Sequence, residues 1–130
     1  MALLRRPPVG EVSVAFLGPR AMAAANGRFL GHAGATDVIT FGHGEILVCP
    51  AVAWAEARAR GLPFEEELLR YIVHGWLHLC GHDDARAAER RRMHGVQERL
   101  VARLVARLVA RGVGEGPGPG RRGRPAGRGT

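Results

Sequence analysis

The sequence predicts an α+β protein, and three observations carry that prediction. Short β-branched or alternating runs occur at residues 12–17, 36–41 and 45–49. Longer runs with helical spacing fill residues 50–111. Glycine and proline mark most junctions between them. A chain of 130 residues suffices for one domain with one modest core.

Taken in order, Val12-Ser13-Val14-Ala15-Phe16-Leu17 alternates weakly and stops at Gly18-Pro19, so it reads as a strand. Residues 20–26 are alanine-rich and read as a short helix ended by Asn26-Gly27, with residues 31–35 as loop. Thr36-Asp37-Val38-Ile39-Thr40-Phe41 is a second strand. Gly42-His43-Gly44 makes a tight connection, and Glu45-Ile46-Leu47-Val48-Cys49 is the antiparallel partner. Pro50 opens a helix and Gly61 closes it: proline's fixed φ suits a first turn, and glycine takes the left-handed conformation that ends one.

A second helix begins near Pro63. Glu65, Glu66 and Glu67 occupy its first turn, where the helix dipole favours negative charge. Leu68, Leu69, Ile72, Val73, Trp76 and Leu77 form its core-facing stripe, with His74 and His78 at the border. A long helix is expected over residues 85–111. It ends in a threefold L-V-A-R repeat from Leu100 to Arg111, whose leucine row drifts by roughly 40° per repeat because four residues overshoot the helical turn. Residues 112–130 hold eight glycines, three prolines and four arginines, have almost nothing to bury, and are expected to form a disordered tail.

The formal net charge is +7, carried entirely by arginine. Residues 85–111 contain eight arginines against two glutamates. This balance favours polyanionic partners, nucleic acid first. The plain alternative is a solvated helix face in an arginine-rich chain. No apolar run approaches the roughly 18–20 residues of a membrane span. Residues 1–10 hold no apolar stretch of signal-peptide length. The expectation is a cytoplasmic protein with no membrane partner. Cys49 and Cys80 then read as packed thiols rather than a disulfide.

The most informative segment runs from His74 to Asp84. On a helix, His74 and His78 project from one face and can grip one metal ion. Gly81 can end the helix, letting the chain turn back to present Asp84 as third ligand. Three protein ligands leave a fourth position open, the layout of a catalytic zinc site. Were the helix to continue past Gly81, His82 would share the histidine face, and it is the alternative third ligand. Asp83 reads as a turn residue or a support for the ligands.

Helical zinc proteases carry a glutamate beside the first histidine as general base. Gly75 stands there instead, which disfavours peptide hydrolysis. Attack on a phosphodiester remains open, since a metal and arginines can stabilise the negative charge of its transition state.

His74 to Asp84 resembles the H-G-x-L-H-L-x-G-x-D-H signature of the YbeY family of zinc-dependent endoribonucleases, also described as rRNA maturation factors. Residues 36–41 are similar to that family's T-D-V-(L/I)-(S/T)-F strand, Gly44-Glu45-Ile46 to its G-(D/E)-I strand, and Asn26 through Phe29 to its N-x-x-(Y/F) segment. Met93 falls where the helix after the signature often has methionine. The resemblance covers roughly residues 12–108.

It implies a small mixed β-sheet packed by helices, with one zinc per chain at the end of a helix, in a cleft lined with positive charge. Residues 1–111 would be one such domain, short at its N-terminus, because the family usually has a further strand and helix before residue 12. The implied activity is zinc-dependent cleavage of single-stranded RNA. The implied role is rRNA maturation at the small-subunit 3′ end and ribosome quality control, with ribosomal RNA and the small ribosomal subunit as partners. His74, His78 and Asp84 would be the metal ligands, and a zinc-activated water the attacking group.

The chain departs from the family's pattern at two site positions. Asp84 replaces a histidine; aspartate is an accepted zinc ligand but leaves the ion less electrophilic than a third imidazole would. Leu30 stands where many members have an arginine thought to contact RNA phosphate, and Arg28 points to another side. Leu30 keeps a second class of function open: a non-catalytic zinc-containing assembly factor that binds RNA. Of the other histidines, His43 reads as a turn residue with a cleft position as the alternative, and His32 and His94 as solvated.

Overall fold

The computed structural model describes residues 10–112. Strand β1 (Ser13–Phe16) leads into helix α1 (Pro19–Ala25), and a hairpin follows, made of β2 (Val38–Phe41) and β3 (Glu45–Val48). Helices α2 (Pro50–Arg60), α3 (Phe64–Leu79) and α4 (Ala87–Ala110) complete the chain. The sheet is mixed, in the order β1-β3-β2: β3 runs parallel to β1 and antiparallel to β2. The expected α+β architecture is therefore the one observed. All of the predicted tail (residues 112–130) except Gly112, and residues 1–9, lie outside the described residues.

Period-two alternation on β3 organises the core. Ile46 and Val48 face α2 and α3, packing with Ala53, Tyr71 and Leu79. Leu47 faces the other way and joins Ile39, Cys49 and Met22 of α1. Cys49 and Cys80 are free and buried, as expected. A further cluster of Val73, Leu77, Met93, Val96 and Val101 binds α3 to α4.

Helix α3 is thus enclosed by the sheet, α2 and α4, and no residue from Glu66 to Cys80 is exposed. This enclosure is broader than the predicted stripe. It adds Tyr71, Gly75, Leu79 and Glu67 to the buried set and leaves Leu68, Leu69, Ile72 and Trp76 only partly buried. A stripe describes a surface helix; a central helix is covered on several sides.

Two boundaries differ from the sequence reading. Asn26-Gly27 does not end α1: the chain continues as a π-helical turn over Asn26–Leu30 and stops at Gly31, where φ is +70°. Asn26 is buried, and its amide donates to Gly34 O at 2.8 Å, so its side chain ties down the following loop instead of breaking the helix. Strand β2 starts at Val38 rather than at residue 36. Asp37 caps it: its carboxylate accepts from Val38 N at 2.7 Å and from the Thr36 hydroxyl at 3.2 Å.

Candidate metal centre

The end of α3 is built by local chemistry. Gly81 N donates to His78 O and His82 N donates to Leu77 O, both at 3.0 Å, with Gly81 at φ +98°. This is the Schellman pattern, which needs a residue tolerant of positive φ at the turn. The helix therefore stops one turn short of where His82 would join the histidine face. Asp83 then makes a turn of its own, its carboxylate accepting from Asp84 N at 2.7 Å and Ala85 N at 3.1 Å. The result swings Asp84 back over the helix.

His74 Nε2 and His78 Nε2 lie 3.2 Å apart, with their rings at 80°. Asp84 Oδ2 sits 3.4 Å from His78 Nε2 and 3.9 Å from His74 Nε2. One donor atom from each residue fits within 4.8 Å of the other two, a group able to hold a metal ion. His82 contributes differently: its backbone carbonyl meets His78 Nδ1 at 3.1 Å. A carbonyl only accepts, so Nδ1 must carry a proton, and in the neutral ring the Nε2 lone pair then faces Asp84 and His74. Convergence of imidazole lone pairs and a carboxylate oxygen suits a cation.

The floor under this centre explains Gly75. A Cβ there would lie 2.8 Å from both Ile46 Cγ2 and Thr40 Oγ1. Position 75 faces the sheet at van der Waals range, so a glutamate in the manner of the zinc proteases has no room there.

His74 and His78 open onto a cleft of about 940 Å³ between α3, β2 and the end of α2. Its lining corrects the expectation of a positively charged groove. Asp37, Glu56 and Glu67 line it against Arg60 and Arg70. Arg70 is moreover engaged by three carboxylates. Its guanidinium donates to Glu98 at 2.8 and 2.9 Å, to Glu67 at 2.8 Å and to Glu66 at 2.9 Å. Most of the arginines among the described residues lie elsewhere, with Arg86, Arg90, Arg91, Arg92, Arg99, Arg103 and Arg107 exposed on or beside α4.

Leu30 lines the cleft, so an apolar side chain stands where the resemblance led to an arginine. Arg28 instead packs over Phe29, 5.5 Å from the ring centroid. His43 is a turn residue with a 71% exposed side chain, stacked on Phe41 and 3.3 Å from Glu45. His32 is exposed. His94 is also exposed but lines the cleft, which the sequence reading missed. That reading missed Gln97 as well. It is buried, and its Oε1 meets His74 Nδ1 at 2.8 Å. The available signal was a polar residue midway between Met93 and Val101 on the buried face of α4.

A family model described as endoribonuclease YbeY matches residues 3–105. The chain belongs to the endoribonuclease YbeY family. A curated relative named endoribonuclease YbeY from Frankia casuarinae is 34% identical over 115 residues, covering 73% of this chain and 57% of that protein. Another of that name from Porphyromonas gingivalis is 36% identical over 100 residues, covering 72% of this chain and 66% of its own length. The solution structure of a Thermotoga maritima protein superposes with a TM-score of 0.65 at 31% identity, covering 85% of this chain and 78% of that one. The chain thus spans less than two thirds of the length of these two curated family members. Among the described residues, no helix is long and apolar enough to cross a membrane.

Proposed function

We propose that this YbeY family member is a cytoplasmic, single-strand-specific endoribonuclease acting in rRNA maturation at the small-subunit 3′ end and in ribosome quality control. The observation that carries this reading is the convergence of His74 Nε2, His78 Nε2 and Asp84 Oδ2 beside a cleft in a chain of an endoribonuclease family. Zinc, one per chain, is the ion that two imidazoles and one carboxylate suit, with a position left open. When bound it supplies the Lewis acidity that activates water towards phosphorus at neutral pH. The chain's own residues do the rest. His74 and His78 hold their Nε2 lone pairs towards the centre, and Asp84 adds negative charge that offsets the ion. Gly75 lets α3 lie close enough to the sheet to set the histidines at the cleft's edge. Arg60, half exposed and bound among the described residues to the Glu67 carboxylate, is a cleft cation available to a phosphate.

The second reading is a zinc-containing assembly factor that docks on the ribosome without cutting. Leu30 and the surplus of carboxylates in the cleft favour it. Two measurements separate these. Elemental analysis should find near one zinc per chain in wild type and much less in His78→Ala and Asp84→Ala. Single-stranded RNA should be cut by wild type, with cutting abolished by chelator and by His78→Ala. Bound zinc without cutting selects the assembly factor; zinc content and cutting unaffected by His78→Ala would sink the metal-centre reading.

A further inference from the structure

The two histidines of the centre are oriented by unrelated means. His78 leans on a backbone carbonyl delivered by the end of its own helix. His74 leans on a side chain 23 positions away, on α4. An amide is ambiguous, since it offers an acceptor at one end and donors at the other, and turning it over would reverse what His74 must do. Three further hydrogen bonds remove the ambiguity. Gln97 Nε2 donates to Glu98 Oε2 at 3.0 Å. Glu98 is itself gripped by Arg70 through two bonds, Nε to Oε2 at 2.8 Å and Nη2 to Oε1 at 2.9 Å. Guanidinium only donates and carboxylate only accepts. Every bond from Arg70 to His74 therefore has one possible direction. The Gln97 oxygen must face His74, and Nδ1 must carry the proton.

We propose that Gln97 is a positioning residue for the centre: the Arg70–Glu98 pair fixes its amide, and the amide holds His74 in the Nδ1-protonated tautomer that leaves Nε2 free for an ion. The surroundings suit the task. Gln97 is 7% exposed and the Arg70 side chain 11%, so water competes little for these bonds. Glu66 and Glu67 take two further donors of Arg70 and keep it from turning. Through this chain the acidic first turn of α3 acts on a ligand two turns further along the same helix. Loss of the amide oxygen removes the acceptor recorded for Nδ1, and an ion then has to select the right tautomer from a mixture. Outer partners of this kind are worth roughly 10–100-fold in metal affinity.

The inference rests on the metal reading for its purpose but not for its test, which begins on metal-free protein. Nitrogen-15 NMR of histidine side chains at pH 8 should show His74 protonated at Nδ1 in wild type. In Gln97→Leu it should show a tautomer mixture. Zinc affinity, measured by competition with a chromophoric chelator, should fall roughly 10–100-fold in Gln97→Leu.

The decisive variant exchanges the roles: in Gln97→Glu/Glu98→Gln, the new carboxylate accepts from His74, while the new amide donates to it and accepts from Arg70 Nη2 through its oxygen, giving up the Arg70 Nε bond. This double variant should recover the wild-type tautomer and zinc affinity to within a few-fold, whereas Gln97→Glu alone sets two carboxylates against each other and should not. It also decides the matter if Gln97→Leu fails to fold. An unchanged His74 tautomer in Gln97→Leu, or a folded double variant that does not recover it, overturns the proposal. If wild type shows the locked tautomer but takes up no zinc, the metal reading fails while the action of Gln97 on His74 stands.

Discussion

At Gly75 the absence of a side chain is the functional property. Thr40 and Ile46 occupy the space a Cβ would need, at 2.8 Å each. Gly75→Ala should therefore push α3 off the sheet and cost about 1–3 kcal/mol, as overpacking does. The helix preference of alanine over glycine, worth up to about 1 kcal/mol, works against this and is the smaller effect. Urea unfolding of metal-free protein measures the balance; a variant as stable as wild type would show that the contact relaxes freely.

Gly81 has a different reason to be glycine, its φ of +98°. Gly81→Ala should cost about 1–2 kcal/mol through strain at positive φ. It should also weaken zinc uptake, because the same turn presents Asp84. Melting temperature and zinc content read the two effects separately, and a loss of stability with full zinc content would detach the turn from the ligand.

Helices α3 and α4 work as a pair. Apolar packing of Val73 and Leu77 against Met93, Val96 and Val101 sets their distance. On that base the Arg70–Glu98 pair and the Gln97–His74 bond can form. The Arg70 guanidinium, aided by the Gln97 amide, holds the Glu98 carboxyl down at about 2, against the opposing pull of burial. A folded value below the ordinary 4.5 means the pair stabilises the fold above pH 4.5, and this contribution is lost as pH falls from 4.5 towards 2. The displacement corresponds to about 3 kcal/mol. Glu98 is 34% exposed, and solvent screening reduces this to about 1–2 kcal/mol. Glu98→Gln should thus be less stable than wild type at pH 6 by that amount, with the gap closing near pH 2. A constant gap across this range would assign the loss to packing instead.

Across the whole molecule, net charge and local charge diverge. The chain carries +7, yet carboxylates outnumber guanidinium groups along the cleft. Cations on α4 can draw RNA to the protein at long range. On the proposed reading, placing a phosphate in the cleft would fall to the metal centre and Arg60. Leu30→Arg should then tighten binding of single-stranded RNA and steepen its salt dependence by about 0.7 in the log–log slope, the value for one added phosphate contact. Fluorescence titration over a range of salt, with a single strand carrying non-hydrolysable linkages so that the metal centre stays intact, gives that slope. No change would mean that the strand does not pass Leu30.

What was legible in the sequence is what short-range rules govern. Pro50, Gly61 and Gly81 mark helix ends because a proline ring or a positive φ acts on its own turn. His74, His78 and Asp84 could be grouped because one helix and one turn span all three. Residues 45–49 could be read as a strand because they follow a β-branched run across the tight Gly42-His43-Gly44 connection.

Other features depend on partners distant in the chain. Asn26 looked like a helix breaker, and only burial beside Gly34 turned it into a tether. The predicted stripe on α3 widened because α2, α4 and the sheet all close on that helix. Gln97 met His74 only once two helices had packed. The sign of charge in the cleft likewise emerged only when Asp37, Glu56, Glu67, Arg60 and Arg70 came together from two helices and the segment before β2. Local chemistry decides how a segment ends and which neighbours share a face. Burial and electrostatic environment depend on which distant segments pack against it, and the tertiary structure alone supplied these.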